Sequence, residues 1–216
     1  MADSAPSSIA IETVSGAALA PFLGDLARLR ITVFRAFPYL YEGEEGYERR
    51  YLETYVKTPH AAVILARADE GKGGAKDGRI IGAATCLPLA AETDNVQAPF
   101  RARGLDPARF FYFGESVLLA EYRGRGIGVA FFAAREAHAR RVSKADFATF
   151  CAVQRPPDHP ARPAGYVPLD TFWRHRGFVP RPDLTCTMRW RDLGATEESA
   201  HRLGFWMKSL TGAQLP

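Results

Sequence analysis

Apolar and polar residues alternate in "IAIETV" (residues 9–14), the pattern of a half-buried strand, after a small and polar first stretch that reads as a loose arm. From Ala17 to Phe37 the residues Leu19, Phe22, Leu23, Leu26, Leu29, Ile31, Val33 and Phe34 recur mostly at steps of three and four, which predicts a helix ended by Pro38. A second helix is predicted in "YERRYLETYVK", where Tyr47, Tyr51, Leu52 and Tyr55 share a face, and a joint rich in glutamate and tyrosine separates the two. The short apolar runs "AAVILARA" and "RIIGAATCLPLA" predict an antiparallel hairpin whose glycine-rich connector, "DEGKGGAKDG", reads as solvent-exposed. Residues 92–109 are weakly patterned and predict an irregular or short helical insertion.

"FYFGESVLLA" predicts a strand that runs directly into "EYRGRGIG". The helix that follows carries Ile127, Ala130, Phe131 and Ala134 at helical spacing and arginines in its last turns, which suit the helix dipole. "DFATFCAV" reads as a strand, "QRPPDHPARPAGYVP" as a long loop with too many prolines for a regular element, and "PLDTFWRHRGF" as a short helix stopped at Gly177. "LTCTMRWRDL" alternates like a last strand. In the tail, Thr196 as N-cap, Glu197 and Glu198 in a first turn, and Ala200, Leu203, Met207 and Leu210 on one face predict a C-terminal helix.

The composition narrows the class. With 216 residues, 47% of them hydrophobic and 12% aromatic, the chain suits one large globular domain. No window approaches the roughly 18 apolar residues of a membrane span, and the first residues lack the basic and apolar blocks of a signal peptide, so a soluble, cytoplasmic protein without membrane contact is expected. A net charge of +4 permits phosphate contacts, but the basic residues are scattered among 24 acidic ones, which argues against a nucleic-acid partner. Cys86, Cys151 and Cys186 stand singly in strand-like surroundings, without metal-type spacing, and read as packing residues; no metal is expected.

The chemistry concentrates in "EYRGRGIG" (121–128). A strand, a glycine-rich loop and a helix N-terminus together present backbone N–H groups in one direction, and the positive end of the helix dipole adds to them. Gly124, Gly126 and Gly128 would let the backbone take positive φ and approach phosphate oxygens closely, with Arg123 and Arg125 adding charge. No Gly-Lys-Ser/Thr follows, and the third glycine stands one position early for a dinucleotide fingerprint, so the phosphate ligand is of another kind.

The string resembles the Arg/Gln-x-x-Gly-x-Gly/Ala signature of the GNAT superfamily of acyl-CoA-dependent N-acyltransferases, with Arg123, Gly126 and Gly128 at the matching positions. The order of elements agrees, and "FWRHRGF" looks like the family's Phe-Tyr-x-x-x-Gly-Phe. The likeness spans residues 8–193 as one domain, with residues 194–216 as the added helix packed on it. It implies an α/β fold with a mixed, mostly antiparallel central sheet flanked by helices, and acetyl-CoA as co-substrate. By that resemblance Arg123, Gly124, Arg125, Gly126, Ile127, Gly128 and Val129 would cradle the coenzyme A pyrophosphate, while Val117, Leu118 and Leu119 would meet its pantetheine arm.

An amine must lose a proton before it attacks a thioester. Glu115, just before the signature where several GNAT enzymes carry a catalytic glutamate, is the candidate base; the competing reading is a strand-end carboxylate held in a salt bridge. Trp173 stands where relatives carry a tyrosine acid, and an indole does not release a proton in this pH range, so Tyr166 or His175 is the substitute and unaided departure of the thiolate is the alternative. Direct transfer in a ternary complex is expected, with no role for Cys151. Tyr39, Tyr41, Glu42 and Trp173 are candidate acceptor contacts, and Arg155 or Arg162 would suit an anionic group on the acceptor or coenzyme A. The partner is then a small-molecule or peptide amine, with a homodimer compatible. A catalytically degenerate acyl-CoA-binding sensor module and a nucleotide- or nucleic-acid-binding domain stand as alternatives.

Overall fold

The computed structural model describes residues 8–69 and 78–216. The N-terminal arm and most of the hairpin connector expected in "DEGKGGAKDG" lie outside the described residues.

Seven strands form one sheet: β1 (Ile9–Val14), β2 (Ala62–Ala68), β3 (Arg79–Pro88), β4 (Phe110–Leu118), β5 (Phe147–Val153), β6 (Val179–Arg191) and β7 (Glu198–Ser209). Their order is β1-β2-β3-β4-β5-β7-β6, antiparallel throughout except for the parallel pair β4 and β5. The helices α1 (Leu23–Phe34), α2 (Glu45–Lys57) and α3 (Asp94–Ala102) cover one face, and α4 (Ile127–Val142) with the short α5 (Asp170–His175) covers the other. Both faces of the sheet are therefore buried, and its middle strands read as apolar runs rather than alternations. In β4, Phe110 and Tyr112 join the core under α1–α3 while Phe111 and Phe113 join the one under α4. Among the described residues no helix is long and apolar enough to cross a membrane.

Several boundaries differ from expectation for identifiable reasons. The first helix begins at Leu23 after a 3-10 segment, Gly16–Phe22, that contains Pro21, which has no N–H to give to a regular helix. The buried face of α2 consists of Glu48, Leu52 and Tyr55, and Tyr47 points outward at 54% exposure. Residues 94–102 form an amphipathic helix that buries Val96 and Phe100.

The C-terminal helix is a misreading. Residues 198–209 are β7, inserted between β5 and β6. Leu203, Phe205 and Met207 enter one core and Trp206 enters the other. The positions Leu203, Met207 and Leu210 match a helical stripe, but "LGFWM" is also the continuous apolar run of a strand buried on both faces, with Gly204 weakening the helix. Pairing with β5 on one side and β6 on the other decides between them.

Candidate functional site

The parallel pair is short. β4 and β5 are in register only from Phe110 opposite Phe147 to Tyr112 opposite Thr149, after which the strands separate. Beyond that point β4 keeps β3 as its neighbour, from Ala84 opposite Ser116 to Gly82 opposite Leu118. Its other edge has no strand partner among the described residues.

At the end of this open edge the chain makes a 3-10 turn, Ala120–Tyr122, and enters α4. Gly124 and Gly126 have φ of +76° and +79°, and a Cβ built on either would meet nothing within 4 Å. The glycines therefore serve backbone conformation and leave open space above the loop. The first helical hydrogen bond runs from Ala130 N–H to Gly126 C=O at 3.1 Å, so the amides of Ile127, Gly128 and Val129 face out of the helix N-terminus unpaired by its own carbonyls. Gly128 differs from the other two. It lies inside α4, takes no positive φ, and a Cβ there would stand 3.3 Å from Cζ of Phe172 in α5. A backbone cradle of positive potential beside a free strand edge suits an anionic ligand.

On the α1–α2 side of the opening lies a buried charge network. A β-bulge sets Thr85 against both Gly114 and Glu115, which re-aims the side chain of Glu115. Both backbone groups of Glu115 are held by side chains: its N–H donates to Thr85 Oγ1 at 3.1 Å, and its carbonyl accepts from Arg135 Nη1 at 3.4 Å. Gly114 is required there, because a Cβ would come within 2.5 Å of Thr85 Oγ1 and 2.8 Å of Tyr55 Oη. The Glu115 carboxylate is ion-paired with Arg30 of α1 and accepts from Tyr51 Oη at 3.1 Å. Arg30 is shared with Glu48, which is fully buried, and its guanidinium stacks 4.3 Å above the Tyr51 ring. Burial opposes the charge of Arg30, but Glu115, Tyr51 and Glu48 outweigh it and hold the group protonated. Tyr51 Oη lies 3.0 Å from Tyr55 Oη, and burial first, then Glu115, pushes both phenols upward. Arg135, sandwiched between Phe113 and Phe132 at 4.6 Å each, is pulled down by burial to about 10.

A second carboxylate lies within electrostatic reach of this group. Glu92 follows the turn after β3 and accepts from the Thr93 amide at 3.0 Å. Burial raises its pKa, the Thr93 N–H works against the rise, and the charge of Glu115 adds to it. Its own charge is felt at Tyr51, Tyr55, Tyr112 and Cys151.

Neither a protein-family model nor a curated protein matches the sequence. Solved structures do match the fold. NAA60 of Arabidopsis thaliana in complex with acetyl-CoA aligns over 95% of this chain and all of its own, with a TM-score of 0.61 at 13% identity. The structure of yncA from Salmonella typhimurium with its cofactor acetyl-CoA aligns over 96% and 97% of the two chains, with a TM-score of 0.57 at 12% identity. The ribosomal-protein-alanine N-acetyltransferase of Brucella melitensis aligns over 93% and 99%, with a TM-score of 0.56 at 15% identity.

The chain has the GNAT acetyltransferase fold.

Within this GNAT fold the remaining sequence-derived candidates take distinct places. Val117 is buried against the α1–α2 core, Leu118 and Leu119 are half-buried, and Arg123, Arg125 and Val129 are exposed around the loop. The Arg125 guanidinium lies over the Tyr122 ring and donates to Glu121 C=O at 3.2 Å. Tyr39 is a neighbour of Cys151, Glu115 and Tyr166, and burial, followed by those groups, raises its phenol. Tyr166 packs edge-on against Phe37, at 4.7 Å between ring centres, with Arg162 over its own ring. Burial raises its phenol too.

Other candidates are engaged by neighbouring residues. Tyr41 turns toward Glu48, and Glu42 is ion-paired with Arg35 at the surface. Trp173 packs between Phe150 and Trp206, at 5.0 and 5.1 Å, in the aromatic core under α4. Arg155 is not an anion site: it donates to Pro38 C=O and Tyr39 C=O, both at 2.8 Å, and pairs with Asp192 at 2.8 Å.

Sequence reasoning missed Arg30, Glu48, Thr85, Glu92 and Arg135. Two of them left a signal. Arg30 is a charge on the stripe of Leu26 and Phe34, four residues either way, and Glu48 stands on the stripe of Leu52 and Tyr55. A charge on an apolar stripe needs a buried partner.

Proposed function

We propose that the protein transfers an acetyl group from acetyl-CoA to an amine in one step within a ternary complex. The observation that supports this reading best is the separation of β4 from β5 beside the Gly124–Val129 loop, with Glu115, on the same β4 strand, held by Arg30 and Tyr51. Coenzyme A would be held by the amides from Gly124 to Val129, by Arg123 and Arg125, and by the free edge of β4 at Val117, Leu118 and Leu119. It supplies an acyl group as a thioester, ready for attack by nitrogen.

The chain's own residues then have three tasks. A carboxylate takes the proton that the acceptor nitrogen must lose, and Glu115 is the residue we assign to it, with Glu92 as the second carboxylate at the opening. Tyr51 holds Glu115 in place through its hydroxyl, and Arg30 balances the charge of Glu115 and Glu48. Tyr166 is the phenol assigned to return a proton to the departing sulfur, since the Trp173 indole lies in the core. Cys151 does not serve as a nucleophile in this reading: contact with Cys186 and burial push its thiol well above its ordinary range, so little thiolate forms.

A second reading, an acyl-CoA-binding module without turnover, is favoured by one observation. Both oxygens of Glu115 are already engaged, one by Arg30 and the other by Tyr51. Thiol release from acetyl-CoA in the presence of a panel of amines tests the two. Release that depends on the amine supports transfer, and tight coenzyme A binding without release by any amine supports the module.

A further inference from the structure

We propose that the acceptor is a small cationic amine carrying no carboxylate near its nitrogen, in preference to a free amino acid or a polypeptide N-terminus. This rests on the acetyl-transfer reading and names the substrate class of the same opening.

The first ground is closure. The connection between α1 and α2, residues 35–44, is fastened to the β6–β7 turn. Tyr41 forms a β-bridge with Asp192, Leu193 N–H donates to Leu40 C=O at 2.7 Å, and Glu42 N–H donates to Arg191 C=O at 2.8 Å. Arg155, two residues past β5, ties the same connection to Asp192 through its bonds to Pro38 and Tyr39. Trp190 adds an indole N–H to Tyr39 C=O at 3.1 Å. Three segments that border the opening are thus joined by main-chain and guanidinium hydrogen bonds. A peptide leaving between them would break several of these hydrogen bonds at once, whereas a small molecule breaks none.

The second ground is charge. On the α1–α2 side of β4 stand three carboxylates, Glu48, Glu92 and Glu115, against one guanidinium, Arg30. Among the described residues no cation is paired with Glu92. Arg135 touches only the carbonyl of Glu115 from the α4 side, and Arg155 is committed to Asp192. With Arg135 counted, three carboxylates stand against two guanidinium groups, so the cluster is negative by one. An ammonium brought into it reduces the imbalance, and a carboxylate two bonds from that ammonium restores it. The half-buried ring of Tyr51, whose hydroxyl donates to Glu115, adds an aromatic surface suited to an amine with an apolar body.

The test compares three ligands that share one side chain: 2-phenylethylamine, L-phenylalanine and the peptide Phe-Gly-Gly. Each is titrated by calorimetry into the coenzyme A-loaded protein, and thiol release from acetyl-CoA is followed in parallel. The amine is expected to bind about a hundredfold more tightly than either of the others, and Glu92→Gln to weaken the amine about tenfold while leaving coenzyme A affinity unchanged. Phenylalanine or the peptide binding as well as the amine overturns the proposed class, as does a Glu92→Gln protein that binds the amine like its parent, or no binding of the amine at all. The two readings fail separately. Selective amine binding without thiol release removes acetyl transfer and upholds the ligand class, and efficient acetylation of phenylalanine or the peptide does the reverse.

Discussion

Gly126→Val separates the two purposes a glycine can serve at this loop. Gly126 has φ +79° and ψ −3°, and a Cβ there would meet no atom within 4 Å beyond its chain neighbours. The cost of the substitution to the fold is the left-handed backbone alone, about 1–2 kcal/mol for a residue with a Cβ. That is small against the roughly 5–15 kcal/mol of a typical domain, and corresponds to a fall in Tm of about 2–8 °C for a chain of this size. The same open space is where phosphate oxygens would meet the loop amides. Charge-assisted hydrogen bonds contribute about 1.5–3 kcal/mol each. Loss of two weakens coenzyme A by roughly 3–6 kcal/mol, on the order of a hundredfold to ten-thousandfold.

Gly128→Ala is the matched control. It adds a methyl group 3.3 Å from the Phe172 ring inside α4, where alanine gains about 1 kcal/mol in helix propensity. Coenzyme A affinity should change by less than about threefold. Calorimetry with coenzyme A, alongside thermal unfolding, reads both quantities. A Gly126→Val protein that keeps its affinity within threefold refutes the anion-loop reading, and a Gly128→Ala protein that loses as much as Gly126→Val assigns the effect to α5 packing instead.

Glu115→Gln should lower turnover by about 10²- to 10⁴-fold near neutral pH with coenzyme A affinity unchanged. The loss should shrink above the acceptor amine's own pKa, as followed in a pH–rate profile; an equal loss at every pH would assign Glu115 to placement, and no loss would move the base to Glu92. Arg30→Met leaves Glu48 and Glu115 buried without a cation and should cost about 3–5 kcal/mol in urea unfolding at pH 8. Two uncompensated carboxylates bind protons more tightly in the fold than in the unfolded chain, so the variant should regain stability as pH falls, and a pH-independent loss would contradict the network. His138 and His201 both have pKa values lowered first by burial. Their stabilisation is complete above the unfolded value of about 6.5 and declines as pH falls through it, because only the unfolded chain takes up the protons. His138→Gln should flatten that decline in a Tm-against-pH series, and an unchanged slope would place its cause elsewhere.

The parts whose physics is local were legible in the chain before any fold was known. Positive φ at Gly124 and Gly126, the strand that feeds the loop and the helix that leaves it depend on neighbouring residues, and "EYRGRGIG" was readable for that reason. Strands with apolar runs and loops with clustered prolines follow the same logic. Tertiary structure decided what depends on partners distant in the chain. The tail became β7 because β5 and β6 pair with it on both sides, although its spacing also fits a helix. Glu115 was visible as a carboxylate before the loop, but its pairing with Arg30, 85 residues earlier, was not, and neither was the hold of Thr85 and Arg135 on its backbone. Trp173 looked like a site residue from its place in a motif and lies in an aromatic core. Glu92, in a stretch with little pattern, acquires its raised proton affinity only from the burial and the Glu115 charge that the fold brings to it. Spacing along a chain specifies backbone conformation, whereas the charge, burial and company of a side chain are set by elements that meet only in the fold.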